Sequence, residues 1–222
     1  LEIVTGRTDY ERLKGLKGQD FGAFEGQPEY LTPKTLPDGQ GFGDYFVQFG
    51  GESTSQVRDR MELTIRAIME SVADGSKSLL VSHGPSILQF CRRVLDPVPD
   101  IRGLKNCCIL HFTYDQGQFG LVSVYNPVEE NGVMVGQTVY KMNGSTLANY
   151  MKYNYKYDDN KRMIESETLK WNSTKEEWEK DLRINYTYEG KTVTTNYYKW
   201  NNKKRAYVLV PEMTVTMDNT NL

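Results

Sequence analysis

The 222 residues read as an α/β segment followed by an all-β antiparallel meander. Composition breaks sharply between the two. Residues 1–127 hold 15 of the 19 Gly, both His and all three Cys, but only two Asn. Residues 128–222 hold ten of the 15 Tyr, all three Trp and twelve Asn, with only four Gly. The hydrophobic pattern changes too, from helical spacing to strand-like alternation. One uniform domain does not produce such a shift. Two segments are expected, 1–127 and 137–222, with a junction in the polar stretch 128–136.

The elements follow in order. Ser53 or Thr54 can cap a helix, because a side-chain oxygen there accepts from the free N–H groups of the first turn. Val57, Met61, Ile65, Ile68 and Val72 then recur at helical spacing, and Gly75 is placed to end the helix. Residues 78–82 (Ser-Leu-Leu-Val-Ser) form a short apolar run, as in a strand buried on both faces. His83 and Gly84 follow at once. Pro85 suits the first turn of a second helix, which carries Ile87, Leu88, Cys91, Val94 and Leu95 along one side. Residues 107–114 and 119–125 flank Asp-Gln-Gly-Gln and read as a hairpin, with Cys107 and Cys108 inside its first strand and His111 a structural residue.

Charge and cysteine content exclude several classes. Lys and Arg number 27 against 29 Asp and Glu, split 13 to 16 up to Pro127 and 14 to 13 beyond it. Such a balance leaves no electrostatic footprint for nucleic acid. No apolar run approaches the ~20 residues of a membrane span. A chain this long hides roughly 70% of its unfolded surface, so a real core is expected. Three Cys without a Cys-x-x-Cys pair point to reduced thiols and a cytoplasmic first segment, while residues 137–222 remain compatible with an extracytoplasmic setting. No metal site and no cofactor are implied.

Chemistry concentrates at one point. A strand ending at Ser82 delivers His83 to the carboxyl edge of a sheet, where open α/β folds bind ligands. The turn at Gly84 and Pro85 opens a helix whose free N–H groups and dipole favour an anion. An imidazole there can donate to a phosphoryl oxygen. A solvated loop histidine is the plainer alternative.

Three stretches carry a family resemblance: Asp20-Phe-Gly-Ala-Phe-Glu-Gly26, Gly51-Glu-Ser53 opening a helix, and Leu80-Val-Ser-His-Gly84. In this order they resemble the histidine phosphatase superfamily, the phosphoglycerate-mutase-like branch of small phosphatases, across nearly all of residues 1–127. The resemblance implies a three-layer α/β fold and phosphomonoester hydrolysis or phosphoryl transfer through a phosphohistidine. It implies that His83 binds and polarises the phosphoryl group of a phosphorylated small molecule, beside Gly84 at the helix start. The family's Arg-His-Gly strand, whose histidine is the nucleophile, and its clamping arginines have no counterpart here. The segment is thus expected to be N-terminally truncated and close to inactive. Where many relatives carry an acidic residue this chain has Gly18, which leaves Asp20 or Glu25 as substitute acids.

The second segment repeats itself. Tyr153-Asn-Tyr-Lys-Tyr157 and Asn185-Tyr-Thr-Tyr188 alternate as strands and run into the turn residues Asp158-Asp-Asn160 and Glu189-Gly190. Each is followed by a strand ending in Lys-Trp-Asn, at Lys170–Asn172 and Lys199–Asn201. Trp171 and Trp200 lie 29 residues apart, a hairpin-sized step. Further reversals are expected near 172–176 and 201–204, and a strand pair broken at Pro211 near the end. This texture resembles uncharacterised Tyr- and Trp-rich repeat domains of secreted or surface bacterial proteins. The resemblance implies a β-rich module with no known activity, for which a glycan or a protein partner at residues 137–222 is the alternative function. The plainer reading is that the rings pack across strands.

Overall fold

The computed structural model describes residues 6–37, 40–101 and 103–218. The chain divides into two compact units, Leu1–Pro99 with Phe112–Leu121, and Asp100–His111 with Val122–Leu222.

In the first unit, helix α1 spans Thr54–Ser71 and helix α2 spans Gly84–Val94. Ser53 caps α1 reciprocally: its hydroxyl accepts from the Gln56 amide at 3.1 Å, and the Gln56 side chain accepts from the Ser53 amide at 2.8 Å. Two otherwise unpaired donors are satisfied at once. Val57, Met61 and Ile65 lie one above another on α1 and meet Phe90 of α2 to form the core. Leu16, Leu80, Phe112 and Phe119 close around them, with Phe90 edge-on to Phe112 at 5.4 Å and to Phe119 at 5.2 Å. The expected apolar side of α2 omitted Phe90, its most important core residue. A second aromatic cluster gathers the turns between residues 20 and 50, with Phe46 fully buried against Phe21, Phe24, Phe42 and Tyr45. Such edge-on ring pairs each add about 0.5–1.5 kcal/mol beyond area burial.

Residues 78–82 do not form the expected buried strand. The segment is unpaired, with Leu79 52% and Val81 54% exposed. Leu80 packs on the core and the Ser82 hydroxyl donates to the Leu16 carbonyl at 2.7 Å, so one side is held. An apolar run is buried on both faces only where neighbouring strands and a second layer cover it. Among the described residues none does. No parallel strand pair exists among them either, so the α/β layout is represented by its two helices and the turns around them.

The strands form one antiparallel sheet: β1 Ile109–Asp115, β2 Gln118–Glu130, β3 Val133–Asn143, β4 Thr146–Tyr157, β5 Met163–Asn172, β6 Glu177–Glu189, β7 Thr192–Asn201, β8 Ala206–Leu209 and β9 Val215–Asp218. Their order is sequential from β1 to β8, and β9 joins β7 beside β8. This is a meander of nine strands among the described residues, with the reversals where turn chemistry placed them. The first hairpin carries its tip, residues 112–121, into the first unit and its base in the second. The polar stretch 128–136 is itself a hairpin, closed at Asn131 and Gly132, both at positive φ. Such a two-residue turn matches the strand twist and favours Asn-Gly. Cys107 and Cys108 lie before β1 rather than in it; Cys107 sits in a turn at φ 61°.

The repeat has a local cause. In the first Lys-Trp-Asn, the Asn172 carboxamide oxygen accepts from the amides of Thr174 and Lys175 at 3.0 and 3.1 Å. In the second, Asn201 accepts from Lys204 at 2.9 Å. Each turn ends on a residue at positive φ, Glu176 and Arg205. The preceding Trp meets an aromatic partner across the hairpin, Trp171 on Trp178 at 5.1 Å and Trp200 on Tyr207 at 5.0 Å. Lys170 and Lys199, the first residues of the two motifs, both bind Asp181 on the strand between them. Burial opposes the Asp181 carboxylate, but the two ammonium groups prevail and hold its pKa below the usual range.

Candidate functional site

His83 stands where residues 78–82 give way to α2, in extended geometry at φ −97° and ψ 143°. Its carbonyl takes the first helical bond, from Ile87 at 2.9 Å. Its side chain is exposed and has no hydrogen-bond partner among the described residues. Gly84 follows, and Pro85 has no N–H to leave unsatisfied in the first turn. Among the described residues the amides of Gly84 and Ser86 have no acceptor, as is usual for the first amides of a helix. Such a helix start favours an oxyanion, and His83 is the residue that precedes it.

The loop at residues 15–20 is fastened beside this point by several long-range bonds. Ser82 donates to Leu16, and the Ser86 hydroxyl donates to the Lys17 carbonyl at 3.3 Å. Arg60, in the second turn of α1, donates to the carbonyls of Gly15, Lys17 and Gly18 at 2.8, 3.1 and 3.1 Å. The same guanidinium grips Glu52 at 2.8 and 2.9 Å. Glu52 in turn accepts from the Asp20 amide at 3.0 Å, and its own amide donates to the Asp20 carbonyl at 2.8 Å. The first two stretches singled out in the sequence therefore meet directly, and the loop before Asp20 links them to the third. Gly51 is required at this crossing, since a Cβ there would lie 2.5 Å from the Asp20 carbonyl oxygen.

Gly18 lies directly against His83: a Cβ at residue 18 would sit 3.5 Å from the imidazole Cδ2 and Cγ. Position 18, where the resemblance implied an acid, is thus adjacent to the histidine and carries no side chain. Asp20 is occupied elsewhere, accepting from Lys17 Nζ at 2.9 Å and from the Gly22 amide at 3.0 Å. Those bonds, Lys17 first, hold its pKa down, so it is a poor proton donor. Glu25 accepts from the Phe21 amide at 2.9 Å and closes its own turn. Glu52 stands in one of the three stretches, but its ion pair with Arg60 is not legible in the sequence, because eight residues separate the two and their other partners lie more than thirty positions away. Among the described residues, no group of three or more His, Cys, Asp or Glu could hold a metal ion. Among the described residues, no helix is long and apolar enough to cross a membrane.

Two family models match the chain, and their ranges overlap at residues 104–127. A model of the histidine phosphatase superfamily, branch 1, matches residues 2–127. A model of a family of unknown function, DUF3836, matches residues 104–218. Among solved structures, a DUF3836 family protein from Bacteroides vulgatus is 59% identical, over 43% of this chain and 98% of its own, with a TM-score of 0.42. One from Parabacteroides distasonis is 22% identical, over 51% of this chain and 94% of its own, at 0.40. A protein of unknown function from Bacteroides fragilis is 27% identical, over 39% of this chain and 65% of its own, at 0.37. None of the curated proteins matches the chain.

Proposed function

The chain belongs to the histidine phosphatase superfamily over residues 2–127 and to the DUF3836 family over residues 104–218, and from that premise we propose that its first segment binds a phosphomonoester or phosphate at His83 and Gly84 with negligible turnover. The observation that supports binding is the unpartnered His83 side chain at the amino end of α2, beside a loop held in place by Arg60.

The case against turnover is chemical. Transfer through a phosphohistidine needs a nucleophilic histidine, cationic groups on the phosphoryl oxygens and an acid for the leaving alkoxide. The 222 residues contain no Arg-His-Gly triplet. Gly18 supplies no acid, and Asp20 is held ionised by Lys17. A hydrogen bond to a charged group contributes only ~1.5–3 kcal/mol, whereas enzymatic rate enhancements need ~8 kcal/mol or more. One imidazole and a helix end do not bridge that difference.

The test has two readouts on the purified chain and on His83→Ala. Phosphate titration followed by NMR of the His83 ring and the Gly84 amide should show weak saturable binding that His83→Ala weakens. Phosphate release from an aryl phosphate should stay at background for both proteins. Absence of any shift at His83 and Gly84 would remove the binding reading. Robust turnover abolished by His83→Ala would overturn the inactive one.

A further inference from the structure

The second unit holds a cavity of about 170 Å³, lined by His111, Val122, Ser123, Tyr125, Val139, Lys141 and Tyr150. Strand register explains why these meet. Ser123 of β2 pairs with Lys141 of β3, and Tyr125 with Val139, so all four side chains share one face. On β4, Val139 pairs with Met151 but Tyr140 pairs with Asn149, which leaves Tyr150 as the extra residue of a bulge. Bulges re-aim side chains, and this one brings the Tyr150 ring under the Lys141 ammonium, 5.2 Å from its centroid. His111 enters from β1, beside β2. It is exposed, not the structural residue its apolar neighbours suggested.

What distinguishes this cavity is its unspent polar capacity. Several lysines of the sheet pair with carboxylates, as Lys156 does with Glu165 and Lys170 with Asp181. Among the described residues Lys141 has no carboxylate partner, and its ammonium lies over the face of Tyr150. Neither His111 nor the hydroxyls of Tyr125 and Tyr150 have a hydrogen-bond partner among the described residues. Two basic groups and two phenols thus surround an apolar floor at Val139, which is only 2% exposed.

We infer that this cavity binds a hexuronate ring, the acidic unit of a saccharide. The volume lies below the ~300 Å³ at which drug-sized sites begin, so it suits one six-membered ring. The Tyr150 and Tyr125 rings offer apolar faces for the C–H side of a pyranose. Lys141 and His111 donate to its carboxylate, a charge-assisted contact. The phenols and the Ser123 hydroxyl exchange hydrogen bonds with the ring hydroxyls. That last requirement decides against a simple aromatic acid, which would leave these hydroxyls desolvated and unpaired. Beyond the cavity, the same face of β4 carries Tyr153 and Tyr155, stacked at 6.5 Å, where further sugar units of a chain can lie.

This site is independent of the phosphate reading at His83. The probes are free D-glucuronate, D-glucose and benzoate, titrated into the full chain by NMR. Glucuronate should bind with millimolar affinity and shift the signals of His111, Tyr125 and Tyr150. Lys141→Gln and His111→Gln, both exposed positions that leave the sheet intact, should each weaken it by about tenfold, the loss of one charge-assisted contact. Glucose should bind less well for want of the carboxylate, and His83→Ala should change nothing. No binding of glucuronate, or binding indifferent to Lys141→Gln, overturns the inference. Benzoate binding as tightly as glucuronate overturns the assignment to a saccharide.

Discussion

Gly18 and His83 face each other with room for one atom between them: a Cβ on the glycine would just touch the imidazole ring, at 3.5 Å. That spacing makes the position permissive for one atom and selective beyond it. Gly18→Ala should fold with stability within about 0.5 kcal/mol of the parent, since 3.5 Å is ordinary van der Waals contact. Gly18→Glu places a carboxylate beside the anion site and should weaken phosphate binding several-fold by like-charge repulsion. Parallel phosphate titrations of the two variants check both statements. Tighter binding in Gly18→Glu would show that the anion sits elsewhere.

The Asn residues of the two Lys-Trp-Asn motifs should differ in weight. Asn172 accepts two turn amides and donates to Glu179 at 2.8 Å, whereas Asn201 accepts one amide. Each lost net hydrogen bond costs about 0.5–1.5 kcal/mol. Asn172→Ala should therefore destabilise the sheet by about 2 kcal/mol, and Asn201→Ala by about 1 kcal/mol. Urea unfolding of each variant measures the order, and equal losses would contradict the hydrogen-bond account.

Those two Asn residues also show why the meander was legible in the sequence and the first unit only in part. Turn chemistry acts within four residues, so Asn172 and Asn201 announce their reversals without help from the rest of the chain, whereas the Asn131-Gly132 turn lies in a stretch that reads as a junction. The reciprocal cap of Ser53 and Gln56 is equally local. Leu79 and Val81 look like core residues by composition, but burial depends on what lies across from them. Arg60 was overlooked for the same reason, because its carbonyl partners at Gly15, Lys17 and Gly18 come from a distant loop. Tyr150 reaches its cavity through a bulge, and alternation counting does not reveal where a strand gains a residue.

Glu62 joins the two helices, accepting from Arg66 at 2.8 Å on its own helix and from Arg93 of α2 at 2.6 Å. Arg66 first, then Arg93, holds its carboxyl below the usual range. A depressed folded pKa gives stability that is present above the unfolded value, near 4.3, and is lost as pH falls through the folded one. The melting temperature of the parent should therefore drop more steeply than that of Glu62→Gln between about pH 5 and pH 3. Arg93 is half-exposed, so added salt should shrink the difference. Parallel acid profiles for the two proteins would refute the assignment.

Tyr207 predicts the opposite limb. Burial, and then its hydrogen bond to Glu167 at 2.9 Å, raise its pKa well above that of a free tyrosine. In the unfolded chain Tyr207 loses its proton near pH 10, while the folded protein retains it. Above that pH the unfolded state binds fewer protons, so stability falls as pH rises. Burial raises the pKa of Tyr153, Tyr155 and Tyr186 in the same direction, which steepens the loss. Tyr207→Phe should be less stable than the parent at pH 8 by about 1.5–3 kcal/mol, the net value of a hydrogen bond to a carboxylate. It should also lose stability less steeply from about pH 10 upward, because one of the linked protons is gone. Urea unfolding at pH 8, 10 and 11 separates the two effects. A constant gap between the proteins across that range would mean that the Tyr207 proton is not linked to folding, and that the contact with Glu167 stabilises the sheet by packing alone.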